Sequence, residues 1–443
     1  MGKLLSRLTA FVLVIAFLVF IISPGIIGLG VRDATVRRAI ELFPPETSQQ
    51  LVFRETEFRG GWFSSSGALE VQYAPFGALG ESTTFNVPYQ VSHGPLLRSE
   101  TGYQLGLAQA QLYPEIEESG SIAALQELPF DLPKSRVQVL TGFDQSTTVA
   151  FEIEPADYQN SAGELVFEGL NGTLLAYADR SADLSLSMGL LRAREPDTQA
   201  QLEVGGLSVQ SHFDQIDNLL APASARFTVN QIRSTGITDL SIARISGDSQ
   251  LRAAAAGPDM IDIIQNFSLV DIDSEFPLDD LHFTLEIREL RREVARSYFD
   301  LVTEYQRQIN SATVVTSTVA ALSQELGLSL LRDGLILVNK IEASAYQGEH
   351  QASLDMNWDG LPQLGSLQQL DPAAIVAALT LQIDVSLDLN AVRRSPYADV
   401  VEAYVQGGYL KIEGDRVTLK GALADDELSL NGDTISLDQF IVQ

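Results

Sequence analysis

Few side chains in this sequence could carry out chemistry. The chain has no cysteine and only four histidines among its 443 residues. The missing cysteines exclude disulfides, thiolate nucleophiles and cysteine-ligated metal sites. His93, His212, His282 and His350 are far apart, so neither the His-x-x-x-His nor the His-Glu-x-x-His spacing of zinc sites occurs. The histidines therefore do not indicate a metal site.

Carboxylates are the one abundant reactive group, with 58 Asp and Glu residues. Asp271-Ile272-Asp273 resembles half of a calcium loop, but the glycine and the distal glutamate that complete such a loop are missing. In so acidic a chain a pair of this kind usually belongs to ordinary surface. Paired carboxylates that hydrolyse a glycosidic bond stay open as an alternative, because their separation is a three-dimensional property.

The motifs of nucleophilic and cofactor-dependent enzymes are also missing. The sequence contains no Gly-x-Ser-x-Gly elbow, no Ser-x-x-Lys, no phosphate-binding loop and no complete Gly-x-Gly-x-x-Gly. Gly28-Leu29-Gly30 lies in an apolar segment and does not follow a strand. We therefore expect a protein that is not an enzyme, with no catalytic residue, no cofactor and no metal.

The charge of the chain restricts its partners. A formal net charge of −29 will repel phosphate backbones, so we expect no nucleic-acid partner. Apolar residues form 45% of the sequence and charged residues 20%, which is typical of a folded protein and not of a disordered one.

The first segment predicts a membrane anchor. Residues 8–31 contain no charge, and this run is long enough for the roughly 20 residues of a membrane-spanning helix. Residues 1–31 are therefore predicted to be an uncleaved signal-anchor with the amino terminus inside. The alternative is a cleaved signal peptide, for which Gly28-Leu29-Gly30 could serve as the cleavage site. The anchor predicts a single-pass protein of the bacterial inner membrane whose main body lies in the periplasm.

The body of the chain is predicted to be mainly β, of the α+β type. From about residue 45 to 285 apolar and polar residues alternate, as in Phe85–Val91 and His282–Ile287, which is typical of antiparallel strands. Asn171-Gly172, Gly205-Gly206 and Gly247-Asp248 are predicted to be turns between strands. Residues 32–288, which open with a short helix over residues 33–43, are taken as an amino-terminal β-rich region. An elongated antiparallel sheet with a few covering helices is expected.

A change of period marks a helical connector at residues 289–332. Apolar residues then recur at every third or fourth position, which predicts an amphipathic helix over Arg291–Ile309 and its continuation over 311–330. Residues 333–443 return to strands with short helices that open at Asp371-Pro372 and at Pro396. Asn431-Gly432, between alternating segments, predicts a hairpin.

Two motifs resemble those of a known family. Gly60-Gly61-Trp62-Phe63-Ser64-Ser65 follows the anchor and a first strand, and His93-Gly94-Pro95 follows about thirty residues later. Together with the anchor and with Asn431-Gly432 near the carboxyl end, they resemble the YdgA-like (YdgA/YihF) family of bacterial envelope proteins, a family of unknown function. The second glycine departs from the family pattern. The last strands also resemble those of AsmA-type proteins, which implies a lipid-handling groove.

Both motifs favour structural roles over chemical ones. The glycines of the first motif would let the chain bend while Trp62 and Phe63 cover apolar surface, although a ligand or membrane contact is the alternative. His93-Gly94-Pro95 ends an alternating strand and favours a turn, with a catalytic or metal-binding His93 as the alternative.

Two functions follow from these observations. The first is an anchored, non-enzymatic periplasmic protein that binds a lipid or another envelope component, and whose exposed sheet edges would allow a homodimer. The second is an anchored hydrolase of an envelope polysaccharide that works through paired carboxylates. An open apolar groove would favour the lipid-binding form of the first function, and a helix covering that face would favour a closed core.

Overall fold

Strands dominate the described chain, as the alternation of apolar and polar residues predicts. The computed structural model describes residues 51–60, 64–73, 83–94, 96–99, 102–116, 133–161, 163–195, 198–216, 218–236, 239–310, 317–424 and 427–435. The predicted anchor, the short helix at 33–43, and Gly61, Trp62, Phe63 and Pro95 lie outside these residues. No helix of the described residues is long and apolar enough to cross a membrane.

The chain divides into two units by its internal contacts. The amino-terminal unit comprises residues 1–221 with 302–318, and the carboxy-terminal unit comprises residues 222–301 with 319–443. Every strand pairing reported below is antiparallel. The boundaries drawn from the sequence at residues 31, 288 and 332 stay predictions.

The described strands of the amino-terminal unit are short and follow one another as a meander with a few exchanges of partner. They are β1 (Leu51–Gly60), β2 (Ser64–Tyr73), β3 (Thr83–His93), β4 (Leu96–Ser99), β5 (Gly102–Leu105), β6 (Ala108–Leu112), β7 (Glu115–Ile116), β8 (Ser135–Thr141), β9 (Thr147–Ile153), β10 (Ala156–Asn160), β11 (Gly163–Phe167), β12 (Leu170–Ala176), β13 (Ala182–Met188), β14 (Leu191–Arg194) and β15 (Gln201–Phe213).

The amino-terminal unit has a closed apolar core. Alternate residues of its strands are buried, as in β9, where Val149 is 0% exposed and Phe151 6%. One continuous cluster joins Phe85 of β3 to Leu191 of β14. Because the polar residues of these strands point away from that cluster, this unit has one dry face and one wet face.

The carboxy-terminal unit is built from longer strands. They are β16 (Ala223–Thr235), β17 (Leu240–Ala253), β18 (Met260–Ser274), β19 (Leu278–Arg291), β20 (Leu335–Ala345), β21 (Gly348–Trp358), β22 (Leu379–Asp388), β23 (Lys411–Glu413), β24 (Arg416–Ala424), β25 (Glu427–Leu430) and β26 (Asp433–Ile435). Pairing runs in the order β16, β17, β18, β19, β20, β21, β22, β24, β25, β26, with β23 also paired to β24.

The predicted helices agree with the structure to within a few residues. The described α-helices of residues 289–435 are α1 (Arg292–Asn310), α2 (Ser317–Arg332), α3 (Pro372–Ala377), α4 (Leu389–Arg394) and α5 (Ala398–Gln406), and Leu367–Gln369 form a short 3-10 helix. Asp371 caps α3 by accepting a hydrogen bond from the Ala373 N–H at 3.0 Å, and Pro372 occupies its first position, as predicted. The prediction of α1 over Arg291–Ile309 is confirmed, and α2 begins after residues 311–316, which are not described.

The three glycine pairs predicted to be turns lie inside strands, so that prediction is wrong. Gly172 in β12 faces Phe151 of β9, and a Cβ atom added there would lie 1.7 Å from the ring of that phenylalanine. Gly247 in β17 similarly faces Phe227, with 2.4 Å to its ring. These glycines leave room for an aromatic ring on the neighbouring strand. Gly205-Gly206 marks the point where β15 changes its partner from β14 to β13.

Candidate functional site

Apolar side chains form rows across the neighbouring strands of the carboxy-terminal sheet. Directly opposed residues of neighbouring antiparallel strands point to the same face. One such row, which we call the open row, contains only apolar residues: Phe267, Phe283, Ile341, Ala352, Val385 and Leu419. It crosses six strands, from β18 to β24.

Neighbouring rows extend this apolar character along the strands. We define the apolar face as the open row together with three further rows. The first contains Ile263, Ile287, Leu337, Met356, Leu381 and Leu423, and the second contains Gln265, Leu285, Asn339, Leu354, Ile383 and Gly421. The third contains Leu269, Leu281, Ala343, His350, Leu387 and Val417. Gln265, Asn339 and His350 are its polar members. All other members are apolar or glycine.

The opposite face of the same strands is polar. One of its rows contains Ser268, His282, Glu342, Gln351, Ser386 and Thr418. The next row contains Asn266, Thr284, Lys340, Ser353, Asp384 and Lys420. These side chains bind one another. Thr284 donates to Asn266 at 3.0 Å, and the Lys340 ammonium lies 2.7 Å from the Glu342 carboxylate. The sheet therefore separates a wet face from an apolar one, and the apolar face must be covered or contact something apolar.

The apolar face is covered at one end of the strands by α2. Trp358, at the end of β21, is 7% exposed, and its indole N–H donates to the Leu330 carbonyl of α2 at 3.1 Å. Ile261 at the start of β18 is 0% exposed. At this end the face is therefore a closed core.

The other end of the strands is covered by α4. Asp388 caps this helix by accepting from the Ala391 N–H at 2.7 Å. A Cβ atom added to Gly348, which opposes Ala345 and so points to the apolar face, would lie 2.5 Å from the Ala391 Cβ. Ala391 therefore sits against the face here, and Val417 beneath this end is 1% exposed.

Between these two covered ends the apolar face is accessible to solvent. In the open row, Phe267 is 36% exposed and Ile341 is 41% exposed, although both lie in mid-strand. A fully covered sheet would bury such positions almost completely. Helix α1 buries only its first turn, where Val294 is 3% exposed, while Tyr298 and Tyr305 are 54% and 47% exposed. The described residues of α1 beyond its first turn are therefore half-buried or exposed, and the alternative of a completely closed core is not supported between the two covered ends.

A separate cluster of ionisable groups surrounds His212 on the amino-terminal unit. His212 Nδ1 lies 2.7 Å from Asp183 Oδ1, and its Nε2 lies 3.3 Å from Asp214 Oδ1. The Tyr177 hydroxyl donates to the other Asp183 oxygen at 3.0 Å. The hydrogen bond to Asp183 raises the pKa of His212 and the pKa of Tyr177, and the same bond from His212 lowers the pKa of Asp183. All these side chains are exposed, so the cluster is a surface ion pair and encloses no site.

The remaining histidines and the acidic pair of the sequence stand apart from one another. His282 is exposed on the polar face, and His350 Nε2 lies 3.1 Å from the Ala345 carbonyl. Asp271 and Asp273 are exposed in β18, and the Asp271 N–H donates to Asp280. Within the described ranges no group of three or more histidines, aspartates or glutamates could hold a metal ion.

The two motifs near the amino terminus meet in the structure. Ser65 Oγ of β2 lies 3.1 Å from His93 Nε2 at the end of β3. The Gly94 N–H donates to the Leu107 carbonyl at 2.7 Å, and a Cβ atom there would lie 1.8 Å from the Gly106 carbonyl oxygen. Gly94 is therefore needed where the chain enters and leaves the β4–β5 hairpin. Gly60 ends β1 and Ser64 begins β2.

The predicted hairpin at Asn431-Gly432 is confirmed, and Asn431 also joins several elements. Both residues have positive φ, 53° and 88°, which suits the tight turn between β25 and β26. The Asn431 side chain accepts from the Lys420 N–H at 2.9 Å and donates to the Tyr409 carbonyl at 2.9 Å. Asn431 thus fixes the turn after α5.

None of the residues of the apolar face was predicted to form a site, although an open apolar groove was one of the two alternatives for the sheet. The signal of this face was present in the alternating apolar residues of β19, which are Leu281, Phe283, Leu285 and Ile287, but a sequence cannot show whether a helix covers them. The two glycine-containing motifs and Asn431-Gly432 lie instead in the amino-terminal unit or in a turn.

Comparison with known proteins places the chain in a family whose function is not known. The sequence model of the family described as "Bacterial protein of unknown function (DUF945)" matches residues 1–438. No curated protein and no solved structure matches the chain. The match does not extend to the narrower YdgA-like name or to the AsmA-type resemblance. The chain belongs to the DUF945 family of bacterial proteins of unknown function.

Proposed function

We propose that this protein is non-enzymatic and binds the acyl chain of a lipid on the apolar face of its carboxy-terminal unit. The observation that carries the proposal is the open row, in which Phe267 and Ile341 remain 36% and 41% exposed in mid-strand. An apolar surface of this kind on a folded protein usually contacts another apolar partner.

The dimensions of the face suit an acyl chain. Neighbouring strands lie about 4.8 Å apart, so the open row, which spans five strand spacings, is roughly 24 Å long. One leaflet of a bilayer takes about half of the ~30 Å hydrocarbon core, or roughly 15 Å, for its acyl chains. The row can therefore hold one chain along its length.

The composition of the face also suits an acyl chain. Its exposed part presents branched aliphatic and phenyl side chains and only three polar members, so a hydrocarbon chain would leave few polar groups without a partner. Each methylene group that such contact removes from water contributes about 0.8 kcal/mol. A polysaccharide would instead leave most of its hydroxyl groups without hydrogen-bond partners on this face.

The proposed location is the bacterial inner membrane, with the body in the periplasm. Its support is the charge-free run of residues 8–31. A lipid-binding face held beside a bilayer would have its ligand at high local concentration.

No observation on the described residues favours the polysaccharide hydrolase. That function needs an acid whose carboxyl pKa is raised beside a second carboxylate. The carboxyl groups with shifted pKa values are Asp144, Asp179 and Asp183, and hydrogen bonds from Ser146, Ser181 and His212, respectively, lower all three.

Mass spectrometry of co-purifying lipid tests the proposal. The full chain and a version that starts at Arg32 are extracted in mild detergent, washed and analysed for bound lipid. We expect a phospholipid or fatty acid at a constant ratio to protein in both. A preparation that holds no lipid but retains a reproducible protein partner would overturn the proposal in favour of a scaffold function.

A further inference from the structure

A second exposed apolar surface lies beside the α4 end of the apolar face. Val400 and Tyr404 are four residues apart and share one side of helix α5, and Tyr397 is the N-cap residue of that helix. Tyr397, Val400 and Tyr404 are 55%, 53% and 53% exposed. Tyr409 and Ile412, just after the helix, are 54% and 50% exposed. We call these five residues the tyrosine patch.

Two residues of the patch, Tyr404 and Tyr409, contact each other and are tied to the turn at Asn431. The rings of Tyr404 and Tyr409 meet edge to face with 6.0 Å between their centres. The Tyr409 N–H donates to the Tyr404 carbonyl at 3.0 Å, and Asn431 donates to the Tyr409 carbonyl. The inward side of α5, with Ala398, Val401 and Val405, is half-buried. The exposed side of α5 thus combines Val400 and Tyr404 with the polar residues Asp399 and Glu402.

The tyrosine patch continues the apolar face. Ile412 of β23 is directly opposite Val417 of β24, so its side chain points to the same face as the Leu387–Val417 row. Helix α5 follows α4, which covers that end of the face, after only three residues. The patch therefore lies on the same side of the sheet as the apolar face, at the end that α4 covers.

The charge around the patch differs from that of the chain. Residues 389–413 contain three basic and three acidic residues and are neutral, while the whole chain carries −29. A surface rich in phosphate groups therefore meets little electrostatic repulsion from this segment. Tyrosine combines an apolar ring with a hydroxyl group and is enriched where a protein meets the headgroup boundary of a bilayer.

We propose that the tyrosine patch docks on the surface of a zwitterionic phospholipid bilayer, next to the α4 end of the apolar face. This inference rests on the proposed function and adds its partner surface. A second copy of the chain fits the patch less well, because two chains of −29 repel each other whereas a zwitterionic bilayer has no net charge.

Site-specific fluorescence tests the contact. Because the chain has no cysteine, Val400→Cys gives a single labelling point in the full chain. Gln351→Cys, an exposed position on the polar face, is the matched control. Both proteins are reconstituted into phosphatidylcholine vesicles, with or without a lipid that carries a quencher in its acyl chain. We expect quencher lipid to reduce the emission at position 400 and not at position 351.

Other outcomes overturn the inference. Equal emission at position 400 with and without quencher lipid would exclude bilayer contact. Quenching at both positions would show contact without a preferred surface. Cross-linking between two chains at position 400, with no quenching, would assign the patch to a second copy.

A tyrosine variant separates the patch from other exposed rings. Tyr404→Ser in the Val400→Cys background should reduce the quenching, and Tyr298→Ser, at similar exposure on α1, should not. Lipid retention by the same proteins is measured separately. Normal lipid retention without quenching would reject this inference and leave the proposed function standing, and quenching without lipid retention would do the reverse.

Discussion

The proposed function predicts that one polar substitution in the open row removes the ligand while the fold persists. Ile341→Asn places an amide in mid-strand on the apolar face. Ile341 is 41% exposed, so contact with a ligand can still bury that fraction of its surface. Burial of a whole isoleucine side chain contributes about 1.5–3 kcal/mol, so the missing contact costs roughly 0.6–1.2 kcal/mol. An amide that is buried under an acyl chain without a partner costs about 1–3 kcal/mol more.

The expected loss of affinity is therefore about 2–4 kcal/mol, or roughly 30-fold to 1,000-fold. The loss of stability is smaller and comes from the other 59% of the side chain, about 1–2 kcal/mol. Val338→Asn is the matched control, because Val338 lies on the polar face of the same strand, opposite Asp355 and Glu286. It should lower the melting temperature by a similar amount and leave lipid affinity unchanged.

The assay is titration of the version that starts at Arg32 with a fluorescent fatty acid in the absence of detergent. Circular dichroism follows the unfolding of each variant. Equal affinities of wild type, Ile341→Asn and Val338→Asn would refute the reasoning, because the open row would then not contact the ligand.

Further predictions concern the glycines, His212 and Asn431. Gly172→Ala should lower the free energy of unfolding by about 1–3 kcal/mol in chemical denaturation, because the new methyl group would meet the Phe151 ring. Gly327→Ala in α2, with open space around it, should instead raise that free energy by up to about 1 kcal/mol, and the same sign for both would contradict the packing argument. The His212 ring should titrate above pH 6.5 by NMR, and Asp183→Asn should bring its pKa down. Since the folded pKa of His212 is raised, its contribution to stability is complete below pH 6.5 and is lost as pH rises through the folded pKa. The pKa of Asp183 is lowered, so its contribution is complete above pH 3.8 and is lost as pH falls through its folded pKa. A titration midpoint of His212 at the unshifted pKa would contradict the ion pair. Asn431→Ala should lower the free energy of unfolding by about 2–4 kcal/mol in denaturant titration, because it removes two side-chain hydrogen bonds and places alanine at a positive φ. Asn431→Gly removes the same hydrogen bonds but adopts a positive φ without strain, so its free energy of unfolding should lie between those of Asn431→Ala and wild type.

Local sequence patterns predicted the secondary structure where one physical cause dominates. The period of three to four residues gave α1, the Asp371-Pro372 pair gave α3, and Asn431-Gly432 gave its hairpin. In each case a local backbone preference, of helix periodicity, of helix capping or of a tight turn, is enough to specify the element. The strand alternation likewise predicted an antiparallel, mainly β fold.

The same local reasoning failed where a distant strand decides the use of a residue. Gly172 and Gly247 look like turn residues, but each makes space for a phenylalanine ring on the neighbouring strand. The pattern of α1 predicted a helix with one covered side, yet Tyr298 remains exposed, because amphipathicity does not specify what lies beneath a helix. The accessible apolar face depends on the register of six strands, which no single segment reveals.

Photo-cross-linking tests the central claim most directly. The full chain is reconstituted with phosphatidylcholine that carries a diazirine in its acyl chain, irradiated and digested, and the labelled peptides are sequenced by mass spectrometry. The lipid-binding account predicts labels on the open row, in peptides that contain Phe267, Phe283 or Ile341, and their loss in Ile341→Asn. Labels confined to residues 8–31, or equal labels on polar-face residues such as His282 and Gln351, would contradict it.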